Sequence, residues 1–454
     1  MRIKLGIPIN LHKIANMVGV VVNNCSDRLI THIVTDSREA SYQDLFLCLQ
    51  GERFDGNDYA EDVIAKGAIP FSNRTHSMGI IVKDTKEGLL LLAKEYLNLL
   101  PSVKHKIAVT GSVGKTTTKE FIRTILMTEF KVHATEGNLN NDLGVPLTIL
   151  QTPKNSEIII LEMGMNHEGE IKRLSEAFSP DIGVITNIGT SHIGNLGSKG
   201  AIARAKKEIM FGVKEGSIIV PKNEPLLMDI KNKICFSTSD ILSDYYISQD
   251  DCGITNIYSK GEMITKAHFV KKEQHYLECL ISASAASSEA GISRKGLGVG
   301  ISNISGVNLR QRLIVCKNRN FIDDSYNASL ESFLASYETY KYISNGQRGS
   351  ILIGDILELG AFSDSIHYAL GKSIPSVLFD KIFIIGEKAK IVAAGAMEKG
   401  FIKENIFINN DVKRIDITAR QIIENTYDGQ YILMKASRRI KLEDVIEYLN
   451  KDEV

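Results

Sequence analysis

The chain has 454 residues, and at about 100–200 residues per domain two to four domains are expected, with three as the central value. Hydrophobic residues make up 43% and charged residues 24%, which excludes a disordered chain, a collagen and a coiled coil. Lys+Arg and Asp+Glu are both 54, so no net basic field draws nucleic acid or an anionic membrane to the protein, and any anionic ligand must be held by local groups.

In chain order, residues 1–101 carry short apolar runs between polar turns. Residues 33–36, 44–49 and 79–82 read as strands, and 89–100 has helical spacing up to Pro101. Arg2 and Lys4 are not followed by an apolar core with a cleavage pattern. No run anywhere approaches the roughly 18–20 apolar residues of a membrane span. Cys25, Cys48, Cys235, Cys252, Cys279 and Cys316 are scattered without a C-x-x-C pair. That argues against a disulfide framework or zinc knuckle and for a reduced, cytoplasmic setting.

From 102 to 307 strand and helix alternate regularly. Residues 107–110, 157–163 and 181–187 are continuous apolar runs, as in a parallel sheet covered on both faces, and 117–130 reads as a helix. Residues 240–285 read as more polar strands, an antiparallel extension of that sheet. Residues 291–308, rich in Gly and Ser, read as a linker. From 308 to 454 the alternation resumes, with strands at 350–354, 381–386 and 430–435.

The strongest local signal is TGSVGKTTTKEF at 110–121, between a strand and a helix. Gly111 and Gly114 let the backbone turn its N–H groups inward, and the helix N-terminus adds a positive dipole end. Lys115 supplies a cation for phosphate, and the Thr116 hydroxyl can bind Mg²⁺. Gly111, Ser112, Val113, Gly114, Lys115, Thr116 and Thr117 are therefore the candidate triphosphate-binding set. Val109 stands where the full P-loop pattern has its first glycine, so this is a shortened variant.

Ligands of open parallel sheets bind beyond the carboxyl ends of the strands. LEMGMNHEGEI places Glu162 at that rim. TNIGTSHIGNLGS places Asn187 there with His192 just beyond, and ARAKKEI adds Lys206 and Lys207. A carboxylate, an imidazole and the loop threonine can hold a divalent cation beside a triphosphate. Singly, Glu162 also fits a salt bridge, His192 a loop histidine and Lys206 a solvated helix lysine. The segment GNLNNDLGVP at 137–146 offers amide side chains to a substrate, or forms an Asn/Gly structural turn.

In this order, TGSVGKTTTKEF, GNLNNDLGVP, LEMGMNHEGEI, HIGNLGS and ARAKKEI resemble the Mur ligases, the ATP-dependent amide-forming ligases of peptidoglycan synthesis. Asn166-His167-x-Gly169-Glu170 is similar to the branch that adds D-alanyl-D-alanine to UDP-N-acetylmuramoyl-tripeptide. The resemblance covers the whole chain. It implies an α/β protein of three domains: a small N-terminal substrate domain (1–101), a central P-loop ATPase-like parallel-sheet domain (102–307) and a C-terminal Rossmann-like domain (308–454).

It further implies that Asp36, Ser37 and Arg38 meet the uridine diphosphate, although Arg38 alone also fits a surface ion pair. Asn138, Asn140, Asn141, Asn166 and His167 are implied for substrate. Asp324, Asn327 and Arg310 (or Arg312) are implied for the nucleoside of ATP. Two Mg²⁺ ions are implied, one at Thr116 and one shared by Glu162, His192 and a carbamylated Lys206, with Lys115, Lys206, His192 and Glu162 as the catalytic set. The partners implied are the two small substrates, with no nucleic acid, no membrane insertion and a monomeric chain. The third domain is expected to close over ATP about a hinge near 305–310. Three positions depart from the family pattern: Ser329-Leu330, Ala436 and Tyr42-Gln43. Competing activities are a folylpolyglutamate-type or other Mur-type ligation, and a P-loop NTPase switch.

Overall fold

Three sheets follow one another along the chain, each built around strands that are apolar on both faces. The computed structural model describes residues 1–23, 27–51, 54–304 and 312–451. Arg310, Cys25 and the expected hinge at 305–310 lie outside these. The first sheet has six strands, in the spatial order Arg2–Asn10, Leu29–Val34, Asp44–Leu47, Ile69–Ser72, Gly79–Ile81 and Val22–Asn23. Its centre is parallel and both edges are antiparallel. The helix Thr85–Tyr96 begins earlier than its apolar spacing indicates, because the Asp84 carboxylate accepts from Glu87 N–H at 2.8 Å and caps it. Its last residue ties this sheet to the next: the Tyr96 hydroxyl accepts from Ile7 N–H at 2.6 Å and donates to Thr152 O at 3.2 Å.

The central sheet has nine strands, in the order Glu262–His268, Ile254–Ser259, Tyr245–Gln249, Lys233–Ser237, Ser217–Pro221, Ile182–Ile185, His105–Thr110, Ile158–Glu162 and Val132–Ala134. Six hydrogen-bonded pairs are parallel, from Val132–Ala134 through to Tyr245–Gln249, and the last two are antiparallel. After His105–Thr110 the chain places its next two strands on one side of it and the following ones on the other. That strand is the topological switch point, where such sheets leave a crevice for ligand, and the phosphate loop hangs from its end.

Two expectations are corrected here. The antiparallel extension ends at His268, and Gln274–Glu289 is a helix rather than strand. Residues 279–287 are buried almost without interruption, so no polar stripe marks the helix in the sequence. Nor is the described part of the expected linker 291–308 a linker, because Arg294–Asn303 is a helix capped by Ser293, whose hydroxyl accepts from Gly296 N–H at 2.9 Å. Its glycines serve close packing. A Cβ at Gly300 would lie 2.5 Å from Ile125 Cα, on the helix Lys115–Leu126 that follows the phosphate loop.

The third sheet runs Arg312–Cys316, Arg319–Asp323, Tyr431–Lys435, Gly349–Gly354, Phe379–Ile385 and Ile406–Asn409, parallel except for its first pair. Both departures within it have structural roles. Ser329 caps the helix Leu330–Ile343 in a reciprocal box with Ser332, and the Ala436 methyl fills the space left beside Gly354. No helix among the described residues is long and apolar enough to cross a membrane. The described cysteines Cys48, Cys235, Cys252, Cys279 and Cys316 are all free thiols.

Candidate active site

The loop between His105–Thr110 and Lys115–Leu126 is tightly specified. Gly111 has φ +146° and Gly114 φ +80°, and a Cβ on Gly111 would come 1.9 Å from the Thr186 hydroxyl. The neighbouring strand end holds the loop. Asn187 clasps Val113 twice, its Oδ1 accepting from Val113 N–H at 3.0 Å and its Nδ2 donating to Val113 O at 3.1 Å. Thr186 donates to the same carbonyl at 2.6 Å, and the Ser112 hydroxyl accepts from Gly189 N–H at 2.8 Å. Lys115 folds back over the loop, its Nζ 2.7 Å from Gly111 O and 3.3 Å from Ser112 O. In that position the ammonium stands over the ring of amides that would cradle a phosphate.

Glu162 ends the next strand with its side chain 1% exposed. Its carboxylate accepts from the Thr116 hydroxyl and from Asn140 Nδ2, each at 2.8 Å, while its own N–H donates to Thr135 Oγ1 at 3.0 Å. A buried carboxylate that accepts from an amide and a hydroxyl suits a small hard cation. No cluster of three or more His, Cys, Asp or Glu side chains able to hold a metal occurs among the described residues.

His192 has a left-handed backbone, φ +63°, and opens the helix Ile193–Leu196. Its Nδ1 lies 2.9 Å from Oε2 of Glu358, which comes from the third sheet unit. The close approach of the His192 imidazole holds the Glu358 carboxyl below its ordinary range. Glu331 makes a second contact of the same kind. Its carboxylate accepts from Thr190 N–H and Thr190 Oγ1, each at 2.9 Å. Two carboxylates of the third unit thus grip the loop after Ile182–Ile185. Neither role is legible in the sequence, since contacts across more than a hundred residues leave no local pattern.

Lys206 sits on the helix Lys199–Lys207 with its side chain 1% exposed and its Nζ without a hydrogen-bond partner. Burial, and then the charge of Lys115, drive its pKa well below the usual lysine value, against the pull of Glu170 and Glu208. Lys207 instead forms an ion pair with Asp229 at 2.5 Å. Of the two lysines, 206 is therefore the one that is buried without a hydrogen-bond partner.

A cavity of about 1180 Å³ gathers most of the expected residues: Ser112 to Thr117, Asn138, Asn140, Asn141, Glu162, Asn166, His192, Asp324 and Asn327. Its size exceeds the roughly 300–1,000 Å³ of a pocket for one small ligand. Lys206, His167, Gly111 and Arg312 are not in its lining. Asn141 also has the structural role left open above, its Oδ1 accepting from Gly144 N–H at 2.8 Å to cap Gly144–Gln151. Asp324 is paired with Lys435 at 2.7 Å. Asp36, Ser37 and Arg38 lie away from the cavity lining, where Arg38 forks onto the Asp36 carboxylate at 2.9 and 2.6 Å. Not anticipated is the start of the helix Gln274–Glu289. It brings Gln274, His275 and Tyr276 into the cavity wall, and burial pushes the His275 pKa down to about 4, leaving a neutral imidazole.

Comparison with known proteins places this geometry. Residues 109–282 match the Mur ligase middle domain, and residues 29–94 match the Mur ligase family catalytic domain. The chain is 36% identical to the UDP-N-acetylmuramoyl-tripeptide–D-alanyl-D-alanine ligase of Bacillus subtilis, covering 96% of this chain and 97% of that one. It is 28% identical to the enzyme of the same name from Escherichia coli, covering 94% and 95%. A crystal structure of MurF from Acinetobacter baumannii superposes with a TM-score of 0.86 at 27% identity, over 99% of this chain and 100% of that one. MurF from Thermotoga maritima in complex with ADP gives 0.75 at 25% identity, over 92% and 97%.

Proposed function

The chain belongs to the Mur ligase family, and on that basis we propose that it joins D-alanyl-D-alanine to UDP-N-acetylmuramoyl-tripeptide, with cleavage of ATP, in peptidoglycan precursor synthesis. The observation that carries this is the buried Thr116–Glu162–Asn140 contact beside the phosphate loop, in one cavity large enough for two ligands. A carboxylate is a poor electrophile, so the reaction proceeds through an acyl phosphate. The loop amides and Lys115 hold and neutralise the transferred phosphoryl group. Asn138, Asn140, Asn166 and His167 lie along the substrate's path, with Asn141 fixing the turn that presents them. The Asp36–Ser37–Arg38 segment takes the uridine diphosphate end in a domain spanning 1–101. Asp324 and Asn327, with Arg310 or Arg312, face the nucleoside from a domain that begins at 308.

Thr116 and Glu162 fit Mg²⁺, which when bound supplies charge neutralisation at the phosphates. A second ion belongs with Glu162, His192 and Lys206, and for it His192 must exchange its Glu358 partner. Burial without a hydrogen-bond partner favours the uncharged form of Lys206, the form that adds CO₂, which supports its carbamylation. The protein acts in the cytoplasm as a monomer, without a nucleic-acid or membrane partner.

An acyl phosphate must be kept from water, and the Glu331 and Glu358 contacts are suited to keeping the third unit closed. Glu331→Ala is expected to enlarge the radius of gyration of the free protein in solution scattering; an unchanged profile would remove Glu331 from closure. The activity itself is tested by mass spectrometry of products formed from ATP, the tripeptide nucleotide and D-alanyl-D-alanine. A mass gain equal to the dipeptide less one water is expected. Phosphate release that ignores the dipeptide would point to an NTPase switch instead.

A further inference from the structure

The incoming dipeptide brings an α-amino group with a pKa of about 8, so near neutral pH it arrives mostly as an ammonium that cannot attack. A group in the cavity has to take its proton. Most carboxylates in the cavity wall are engaged. Glu162 is bound by Thr116 and Asn140, Asp324 by Lys435, Glu331 by Thr190 and Glu358 by His192. Glu278 accepts from Gln274 at the α-helical wall Gln274–Glu289, and burial raises its pKa. Glu338 lies toward the same wall, where its charge acts on Glu273.

Glu170 differs in position and in partners. It opens the helix Glu170–Phe178 and lines the cavity with Asn166, on the side of Lys115 and Lys206. A glutamate in a first helical turn ordinarily spends its carboxylate on the free N–H groups there. Here another segment does that. Glu208 accepts from Gly169 N–H at 2.6 Å and from Lys172 N–H at 3.0 Å. The Glu170 carboxylate is held instead by its own loop, from Asn166 N–H at 2.8 Å and with His167 Nδ1 at 3.2 Å. His167 is 71% exposed and outside the cavity lining, so the pair reaches from the cavity to bulk water.

We propose that Glu170 is the general base for the incoming amine, with His167 as its outlet to solvent. The role rests on the ligase activity proposed above. Glu170 takes one proton from the ammonium, and the freed nitrogen lone pair forms the C–N bond. The acyl C–O bond to phosphate then breaks, the departing phosphate takes the second proton from that nitrogen and leaves as hydrogen phosphate, and the proton held by Glu170 passes to water at the His167 side.

The test compares wild type and Glu170→Gln with ATP and the tripeptide nucleotide, supplying either D-alanyl-D-alanine or hydroxylamine. Hydroxylamine is uncharged at neutral pH and attacks an acyl phosphate without a base, giving a hydroxamate. Glu170→Gln is expected to lose at least about 100-fold in dipeptide addition while forming hydroxamate at the wild-type rate. Unchanged dipeptide addition would overturn the proposal. An equal loss with both nucleophiles would also overturn it, because Glu170 would then be merely holding the loop. If wild type makes neither product, the ligase activity fails together with this role, and that outcome is distinct from the other two.

Discussion

Replacing Lys115 by alanine is expected to lower turnover about 1,000-fold, equivalent to about 4 kcal/mol of transition-state stabilisation, with the protein still folded. The Nζ donates to carbonyls of its own loop, Gly111 O and Ser112 O. The loop itself is held by Thr186, Asn187 and Gly189. Removing the ammonium therefore takes away charge facing the phosphates and leaves their cradle standing. Steady-state assays of dipeptide addition, alongside circular dichroism, check both halves. A variant retaining more than a tenth of wild-type turnover would move the phosphoryl transfer elsewhere.

Lys206→Met separates stability from activity more sharply. A buried polar atom without a partner costs about 1–3 kcal/mol, and methionine replaces the amine with an apolar chain of similar length. The variant is expected to melt a few degrees higher while losing at least about 100-fold in turnover, because the group that would carry the carbamate is gone. The pH dependence has a definite sign. The folded pKa of Lys206 is depressed by burial, whereas the unfolded side chain titrates near 10.4. Between the two values the unfolded chain binds a proton that the folded chain does not. Stability therefore rises with pH across that window, by up to about 1.4 kcal/mol per unit. Thermal melts in CO₂-free buffer should show this slope in wild type and a flatter one in Lys206→Met. Parallel curves would mean that the amine is charged and solvated.

The central domain was legible because its signals are local. A phosphate loop needs glycines, a lysine and a threonine within a few residues, and buried parallel strands are unbroken apolar runs. Where the signal lies in packing, sequence misled. Gln274–Glu289 reads as the end of a polar-strand region and the glycines of Arg294–Asn303 read as a linker, but both segments are helices, and Gly300 lets its helix approach Ile125 closely. The site divides in the same way. Glu162 and Thr116 are joined as their positions at strand and loop ends predict, while the grips of Glu331 and Glu358 and the cap by Glu208 come from distant segments. Edge strands such as Val132–Ala134 and Ile406–Asn409 are too short to announce themselves.

The glycine seam between Arg294–Asn303 and Lys115–Leu126 has a mechanical consequence. The last described helix before the third unit is bolted to the helix that begins at the triphosphate site, with Gly300 against Ile125. A substitution that forces these two helices apart would therefore be felt both at the phosphate loop and at the point from which the chain sets out for the third unit.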